Sequence, residues 1–416
     1  MEVQMDKQAK WITEAVEAIA ETAVKEDGEY WRGTYTREDD NAVALLKKYM
    51  ESKGMEVYSD AVGNLFGRIT GNRPEVVMTG SHRDTVRRGG KYDGMLGVLT
   101  AIEAAASLTE ELGKPEKTVE VVAFCEEESS RFPTSYLGSR YLCGEFSERE
   151  LADLDDDAIT LGEAMKRSGY LKEALADKRT DLERFVELHI EQGGVLEREQ
   201  KQIGIVTAIV GLFCGEVYFK GHQNHAGTTP MYMRKDPMPA AAEFIYRLNQ
   251  WAMGHQYDLV CTVGKLNIKP GNTNVIADEV MLTFDIRSPK AELIQEAAAM
   301  IETLKKELEG DIEISVAVPC DEPPVALDEE GVTIMDLLAQ KGNYNYMKIT
   351  SGAGHDSQVL AQAFPTNMIF VPSVRGISHN EKEFTRAEDI EAGVHFLRDF
   401  LQETAWKKLG SDNHEQ

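Results

Sequence analysis

Five side chains that could bind metal ions are scattered along the chain, and most of them stand just after a short apolar segment. They are three histidines and two carboxylates: His82, Asp93, Glu128, His189 and His379. A shell of imidazole nitrogens and carboxylate oxygens suits zinc, manganese, cobalt or nickel. Two such cations held close together can activate water and polarise a carbonyl group at once. The residue types therefore predict a site for two metal ions.

Two further carboxylates accompany these five residues. Asp84 follows His82 by two positions, and a metal-bound imidazole usually needs such a neighbour to orient it. Glu127 directly precedes Glu128, and adjacent residues point in different directions, so one can bind metal while the other faces a substrate. Three carboxylates in a row, at positions 126–128, are costly at a buried strand end unless cations compensate them.

Each motif, taken alone, also has a structural interpretation. A lone His-x-Asp motif is more often structural, Asp93 could cap the helix that follows it, and residues 126–128 could form an acidic surface loop. His189 and His379 could be hydrogen-bonded structural histidines. His355 could line the site from a glycine-rich loop. The other histidines have no supporting motif: His222, His255, His395 and His414.

Length and composition limit the class of protein. A chain of 416 residues is too long for one ordinary core, which favours two domains. Its formal charge of −26 disfavours nucleic acid and anionic membranes as partners. Five scattered cysteines without a CxxC pair, and no apolar run of the roughly 18–20 residues that span a membrane, predict a cytoplasmic location. The first thirty residues predict an acidic amphipathic helix, not a signal peptide, and the end from Ser411 predicts a frayed tail.

The elements that must position the candidate ligands alternate between helix and strand from residue 40 to about 210. Short apolar segments at 75–80, 118–125 and 185–188 are predicted to be buried strands. Continuous apolar strands separated by helices predict an α/β fold with a mostly parallel sheet. His82, Glu128 and His189 fall at the carboxyl ends of these strands, where open α/β sheets form their sites.

The segment 214–330 has a different pattern, which we interpret as an inserted βαββαβ domain. Its second and fourth strands are predicted at 261–268 and 312–318, and its second helix at 289–308 with Ser288 as the cap. The insertion divides a discontinuous catalytic domain into residues 1–213 and 331–416. Hinges are predicted near residues 212–215 and 323–324.

Longer motifs around these residues resemble the metal-dependent amidohydrolases of the M20 peptidase superfamily, in the N-carbamoyl-L-amino acid hydrolase and allantoate amidohydrolase branch. The resemblance covers nearly the whole chain. The motifs are Gly80-Ser-His-Arg-Asp-Thr-Val86, Gly89-Gly-Lys-Tyr-Asp-Gly94, Glu126-Glu-Glu-Ser-Ser-Arg-Phe132, Glu187-Leu-His-Ile-Glu-Gln-Gly193, His225-Ala-Gly-Thr-Thr-Pro-Met231, Asn274-Val-Ile276, Asp285-Ile-Arg287 and Gly376-Ile-Ser-His379.

The resemblance implies a role for each residue. Asp93 would bridge two metal ions, with His82 and His189 completing one site, and Glu128 and His379 the other. Glu127 would be the general base, and His225 would stabilise the oxyanion. The residues implied to bind substrate are Gln192, His225, Asn274, Arg287 and, in the glycine-rich loop, Gly354. The inserted domain would serve as lid and dimerisation domain of a homodimer, since its histidine can reach the partner's site in this superfamily.

The implied reaction is hydrolysis of the ureido C–N bond of an N-carbamoyl-L-amino acid or a related ureido acid, with release of ammonia and carbon dioxide. A histidine at position 189 favours this branch, because the superfamily's peptidases and aminoacylases usually carry a carboxylate there. Allantoate or ureidoglycolate as substrate is an alternative, and an aminoacylase or dipeptidase is a more distant one. A silent binding protein would be expected to lack a ligand or the base. Arg83, Arg87 and Arg88, near the site loop, could alter substrate preference.

Overall fold

The chain forms two compact units. The structure, a computed structural model, describes residues 6–24, 28–171 and 178–408. One unit comprises Met1–Thr207 and Ala326–Gln416, and the other comprises Ala208–Val325. The tail predicted from Ser411 and the surface histidine His414 lie outside the described residues. Among the described helices, none combines the length and the low polarity that a membrane span requires.

Helices and strands alternate through most of the chain. In chain order the strands are β1 (Glu56–Ser59), β2 (Leu65–Ile69), β3 (Arg73–His82), β4 (Lys117–Phe124), β5 (Leu182–Ile190), β6 (Ile203–Ile209), β7 (Gly211–Lys220), β8 (Asn224–His225), β9 (Val260–Thr262), β10 (Leu266–Lys269), β11 (Val275–Ile276), β12 (Glu279–Ser288), β13 (Glu313–Glu322), β14 (Val325–Ala326), β15 (Tyr346–Ser351) and β16 (Thr366–Val371). The helices are α1 (Lys7–Thr22), α2 (Arg37–Ser52), α3 (Met95–Leu112), α4 (Leu137–Leu142), α5 (Leu161–Arg167), α6 (Val195–Arg198), α7 (Pro237–Met253), α8 (Ala291–Leu308), α9 (Glu329–Lys341), α10 (Asp356–Leu360) and α11 (Ala387–Leu401).

The first unit is built on a nine-stranded sheet with the path β1-β2-β4-β3-β5-β16-β6-β14, to which β15 adds beside β6. Its centre is parallel, because β4, β3, β5 and β16 are neighbours that run in the same direction. The flanking strands β2 and β6 pair antiparallel to this centre. The prediction of a mixed α/β fold with a largely parallel central sheet is confirmed.

Both faces of this sheet are covered, which explains why its central strands are apolar at successive positions. Val77 and Val121 pack on one face with helices α1, α3 and α11, while Val76 and Val122 pack on the other with α4, α5 and α10. A sheet buried on both faces leaves only the strand ends for polar chemistry. Its carboxyl edge is therefore where a site can form.

The second unit contains an antiparallel sheet with the path β10-β12-β7-β13, in which β9 also pairs with β12. Helices α7 and α8 pack on this sheet around a core that includes Phe219, Phe244 and Phe284. The element order follows βαββαβ, with an extra two-stranded ribbon formed by β8 and β11. The segment 212–215, predicted as a hinge, lies inside β7.

Two details of the second unit differ from the prediction. The strand predicted at 261–268 is divided into β9 and β10. Helix α8 begins at Ala291 with Lys290 as its N-cap, so the prediction that Ser288 caps it is wrong. Ser288 is instead the last residue of β12, and its hydroxyl donates to the Asp258 carbonyl at 2.8 Å and accepts from the Lys290 amide at 3.1 Å. A serine three positions before a helix resembles a cap in sequence, but here it ends a strand.

Candidate metal centre and substrate residues

The candidate ligands come together at the carboxyl ends of four adjacent parallel strands. His82 is the last residue of β3, and His189 is the second-last residue of β5. Glu128 follows β4, and His379 follows β16. Asp93 lies in the loop between β3 and α3. Parallel neighbours end at one edge, which is why residues almost 300 positions apart can share a site.

The two oxygens of the Asp93 carboxylate face two different pairs of side chains. Oδ1 is 3.3 Å from His82 Nε2 and 3.1 Å from His189 Nε2. Oδ2 is 3.3 Å from His379 Nε2, and the same nitrogen is 3.2 Å from Glu128 Oε1. One carboxylate thus lies between a pair of histidines and a His–Glu pair, the arrangement that a bridging ligand needs.

Backbone carbonyls fix the orientation of the two buried histidines. His82 Nδ1 is 3.1 Å from the Asp84 carbonyl oxygen, and His189 Nδ1 is 2.9 Å from the Ile190 carbonyl oxygen. A carbonyl oxygen can only accept, so Nδ1 carries the proton in each ring. The lone pair of each Nε2 then points toward Asp93, as metal binding requires.

The Asp84 side chain positions the next loop. Its Oδ1 accepts the Glu127 amide and its Oδ2 accepts the Glu128 amide, both at 3.1 Å. The carboxylate is farther from His82, at 3.7 Å from Nδ1. Asp84 therefore orients His82 through its carbonyl oxygen and the Glu127–Glu128 turn through its side chain.

The buried cluster carries an excess of negative charge. Burial, and next the carboxylates of Glu128, Asp356 and Asp84, raise the pKa of Glu127 well above its usual value, although His82 opposes them. The nearby carboxylates of Asp93 and then of Glu128 raise the pKa of His379 to about 10. Carboxylates that lie close together in a buried cluster resist ionisation unless a cation faces them.

Glycine is required where the Asp93 loop enters α3. Gly94 has φ +64°, and a Cβ there would lie 2.5 Å from the His82 ring. Another residue would be strained in this backbone conformation and would also displace a ligand. The Asp-Gly pair in the sequence therefore reflects the close approach of the loop to His82.

These residues fit a pair of divalent cations. Among the described residues, the buried oxygens Asp93 Oδ1 and Glu128 Oε1 accept no hydrogen bond. Unsatisfied buried carboxylate oxygens are costly unless a cation or a donor faces them. Ligand atoms within 4.8 Å of one another group as His82–Asp93–His189, as Asp93–Glu128–His379 and as His82–Glu127–Glu128. The mixed nitrogen and oxygen set suits zinc, manganese, cobalt or nickel.

Three other residues of the first unit are predicted to line the site. Two of them, Gln192 and His355, contact the proposed metal ligands. Gln192 Nε2 donates to Asp93 Oδ2 at 2.8 Å. The ring of His355 is buried with its centroid 4.5 Å from that of His189. Gly354 lies against the hydroxyl of Tyr136, which a Cβ at this position would approach to 2.0 Å.

Arg83 has a structural role, and the suggestion that it alters substrate preference is wrong. Its side chain is fully buried, and its guanidinium binds both carboxylate oxygens of Asp39 at 2.8 and 3.1 Å. It also donates to the carbonyls of Gly63 and Ala123. Arg87 instead lies at the surface, stacked over the Trp31 ring at 4.0 Å.

Glu383 and Ser378 contact the Asp93 loop and were not identified from the sequence. The Glu383 carboxylate accepts backbone amides of that loop, and the Ser378 hydroxyl lies 2.9 Å from Asp93 Oδ2. In sequence, Glu383 belongs to a charged segment after His379 that is typical of a solvated loop. No local pattern distinguishes it, because its partner lies 290 residues away.

The substrate residues predicted in the second unit lie on its exposed parts. His225 is exposed on β8, and its Nδ1 accepts the amides of Gly227 at 3.0 Å and Thr228 at 3.3 Å. With Nδ1 as acceptor, the neutral ring carries its proton on Nε2 and can donate a hydrogen bond there. Asn274 is adjacent to the register partner of His225, Val275.

Arg287 is held by a neighbour on its own strand. Its Nε and Nη2 donate to the two carboxylate oxygens of Asp285 at 2.9 and 3.1 Å. Residues two apart on a strand point to the same face, so the Asp-Ile-Arg motif itself produces this pair. The side chain is 35% exposed, so solvent reaches the guanidinium.

The chain is similar along most of its length to proteins that are already known. Residues 78–403 match the family described as peptidase family M20/M25/M40. A Bacillus subtilis protein named allantoate amidohydrolase is 40% identical over 405 residues, which cover 95% of this chain and 97% of that protein. An N-carbamoyl-L-amino-acid amidohydrolase of Paenarthrobacter aurescens is 38% identical over 87% of this chain and 90% of its own length. The crystal structure of a hydantoinase/carbamoylase family amidase from Burkholderia multivorans is 34% identical, covers 98% of this chain and 100% of its own, and superposes with a TM-score of 0.91.

Proposed function

The chain belongs to peptidase family M20/M25/M40 and is an amidohydrolase, and we propose that it hydrolyses the ureido C–N bond of an N-carbamoyl-L-amino acid or a related ureido acid. The products are ammonia, carbon dioxide and the remaining amine. The observation that carries the proposal is the Asp93 carboxylate, whose two oxygens face His82 and His189 on one side and His379 and Glu128 on the other.

Two divalent cations per subunit are part of the proposal. His82, Asp93 and His189 would hold one, and Asp93, Glu128 and His379 the other. Bound there, the cations would supply a water that is acidic near neutral pH and a polarised ureido carbonyl. A ureido carbonyl needs this help because two nitrogens donate electron density into it.

Glu127 is the general base of the proposed reaction. Its carboxylate takes a proton from the attacking water as the water oxygen bonds to the carbonyl carbon. The same carboxyl group then gives that proton to the leaving nitrogen as the C–N bond breaks. Asp84 supports this role, because it fixes the Glu127 backbone from a buried position.

The second unit would supply substrate recognition as a lid. His225 Nε2 would donate to the oxyanion that develops on the carbonyl oxygen. Arg287 would bind the substrate carboxylate with its planar fork, which Asp285 holds in a defined orientation. Asn274, with Gln192 and Gly354 of the first unit, would complete the substrate contacts. Closure of such a lid would also exclude water during the reaction.

The lid is also proposed as the dimerisation domain of a homodimer, in which His225 can reach the partner's site. Large apolar side chains are exposed on this unit, including Leu266 and Ile268 on β10. A strand with exposed apolar residues is a frequent pairing site for a second chain. All five cysteines are free thiols, which is consistent with the predicted cytoplasmic location.

Allantoate is the second candidate substrate. It is favoured by the 40% identity to the Bacillus subtilis protein named allantoate amidohydrolase, which extends over 95% of this chain. Allantoate and N-carbamoyl amino acids share a ureido group and a carboxylate, so the same base and the same arginine would serve both.

A screen of substrates and metals tests the proposal. The metal-free protein is reloaded with Zn²⁺, Mn²⁺, Co²⁺ or Ni²⁺ and assayed for ammonia from N-carbamoyl-L-amino acids, allantoate and ureidoglycolate. N-acetyl amino acids and dipeptides are included to test for an aminoacylase or dipeptidase. We expect ammonia from at least one ureido acid. Hydrolysis of the acyl substrates alone would contradict the proposal and favour the other activity.

A further inference from the structure

Glu383 lies directly behind the proposed bridging carboxylate. Its Oε1 accepts the backbone amides of Tyr92 at 2.8 Å and Asp93 at 3.0 Å. Its Oε2 is 2.9 Å from the hydroxyl of Ser378. The Glu383 side chain is only 3% exposed, so these bonds replace nearly all of its contact with water. A buried carboxylate that accepts two backbone amides and lies beside a hydroxyl is held rigidly.

Ser378 extends the same network to the metal-binding edge. Its hydroxyl is 2.9 Å from Asp93 Oδ2 as well as from Glu383 Oε2. It is also the residue before His379, and the Glu383 amide closes the turn by donating to the Asn380 carbonyl at 2.9 Å. One network therefore ties the loop that carries Asp93 to the turn that carries His379.

The two proposed metal sites depend on this network to different degrees. His82 and His189 lie on strands, and their rings are oriented by backbone carbonyls. His379 lies outside the strands, with a side chain that is 46% exposed and a backbone φ of +50°. A non-glycine residue in the left-handed region is held there by its surroundings. The site of His379 thus has fewer supports of its own.

We propose that Glu383 is a positioning residue that holds Asp93 and His379 in place for the metal ion bound by Asp93, Glu128 and His379. This inference rests on the proposed function, since it concerns the same two-metal site. Glu383 touches no substrate and no metal in this account, and it acts through the amides of Tyr92 and Asp93 and through Ser378. Loss of the Glu383 carboxyl group weakens the site of Asp93, Glu128 and His379 more than the site of His82, Asp93 and His189.

Gly90 offers a second way to disturb the same carboxylate. A Cβ at position 90 would lie 2.0 Å from Glu383 Cδ and 2.0 Å from its Oε1. Gly90→Ala therefore displaces the Glu383 side chain without removing any hydrogen-bonding group. It is expected to weaken the same metal site as Glu383→Ala.

The test is a Co²⁺ titration of the metal-free protein in competition with a coloured chelator, read also from the visible spectrum of bound Co²⁺. Wild-type protein is expected to bind two equivalents. Glu383→Ala is expected to weaken the second equivalent by about 10–100-fold, as loss of outer partners of metal ligands typically does, and to weaken the first equivalent less. Glu383→Gln is expected to behave as wild type, because its amide oxygen still accepts both backbone amides and its NH₂ group donates to Ser378.

Asp389→Ala is the matched control. Asp389 is also a buried carboxylate in the C-terminal segment. It accepts a hydrogen bond from Gln202, which lies outside both the Asp93 loop and the His379 turn. Both equivalents should bind this variant normally. Three results would each overturn the inference. They are equal loss of both equivalents in Glu383→Ala, normal binding in both Glu383→Ala and Gly90→Ala, and failure of Glu383→Gln to restore binding. If wild-type protein binds two equivalents but hydrolyses no ureido acid, the proposed function fails while the role of Glu383 stands.

Discussion

The two groups of residues proposed to act on a substrate are held by the fold in different ways. His82, Asp93 and His189 in the first unit are at most 2% exposed, and strand ends and backbone carbonyls fix them. In the second unit His225 is exposed on a two-residue strand, and Arg287 is paired with a neighbour on its own strand. The comparison indicates that these three proposed metal ligands are fixed in advance by buried contacts. The residues of the second unit that are proposed to recognise substrate are, by contrast, at least partly exposed to solvent.

The largest effect is expected for Glu127→Gln, which removes the proposed general base and keeps the shape of the side chain. The amide cannot accept the proton of water, and a general base is typically worth about 10²–10⁴-fold in rate. Turnover and bound metal are measured on the same sample, and we expect kcat to fall while the metal content is unchanged. A near-normal kcat would remove Glu127 from the mechanism.

His225→Ala should give the next largest effect and tests whether the second unit takes part in the chemistry. Loss of one oxyanion donor typically lowers kcat by about 10²–10³-fold. His222→Ala is the matched control, because His222 is an exposed histidine only three positions earlier. Similar kcat losses in both variants would indicate a general disturbance of this segment and not a role for His225.

Metal binding should stabilise only one of the two units. A ligand present at 100 times its Kd adds about 2.7 kcal/mol to the stability of the state that binds it. Hydrogen exchange with and without metal is the measurement: amides in β5 should exchange more slowly with metal, and amides in β12 should not. Equal slowing of exchange in both strands would contradict the proposal that only the first unit binds the metal ions.

Arg287→Lys should give the smallest effect and tests recognition alone. Lysine keeps the charge but loses the planar fork, and we expect about a tenfold lower kcat/KM, or about 1.4 kcal/mol, for substrates with a carboxylate. Arg247→Lys on α7 is the control, since Arg247 pairs with Glu243 and Glu307 on the helices. An equal loss on a carboxamide analogue would argue against carboxylate binding by Arg287.

The edge that carries the proposed metal ligands is predictable from the sequence because its determinants are local. His82 ends one buried apolar strand and Glu128 follows another, and parallel strands bring such positions to one edge. The pairs formed by distant residues are not predictable in this way. Glu383 looks like part of a charged loop, and Arg83 looks available to a substrate until Asp39 is found beside it in the core.

Features that depend on neighbouring residues are predictable only in part. The Asp285–Arg287 pair follows from the two-residue period of a strand, so it was accessible from the sequence. The break between β9 and β10 falls at residues 263–265, where the sequence has a glycine but does not show where pairing with β12 stops. The prediction of a cap at Ser288 is wrong because this residue still belongs to β12, and α8 begins only at Ala291.

Activity as a function of metal content tests the central claim most directly. Metal-free protein receives increasing equivalents of Mn²⁺ or Co²⁺, and ammonia release from the best ureido acid is measured at each point together with the bound metal. We predict little activity up to one equivalent and a rise to a plateau at two, because Asp93 serves both sites. Full activity at one equivalent, or no ammonia from any ureido acid at two, would contradict a two-metal ureido-acid amidohydrolase.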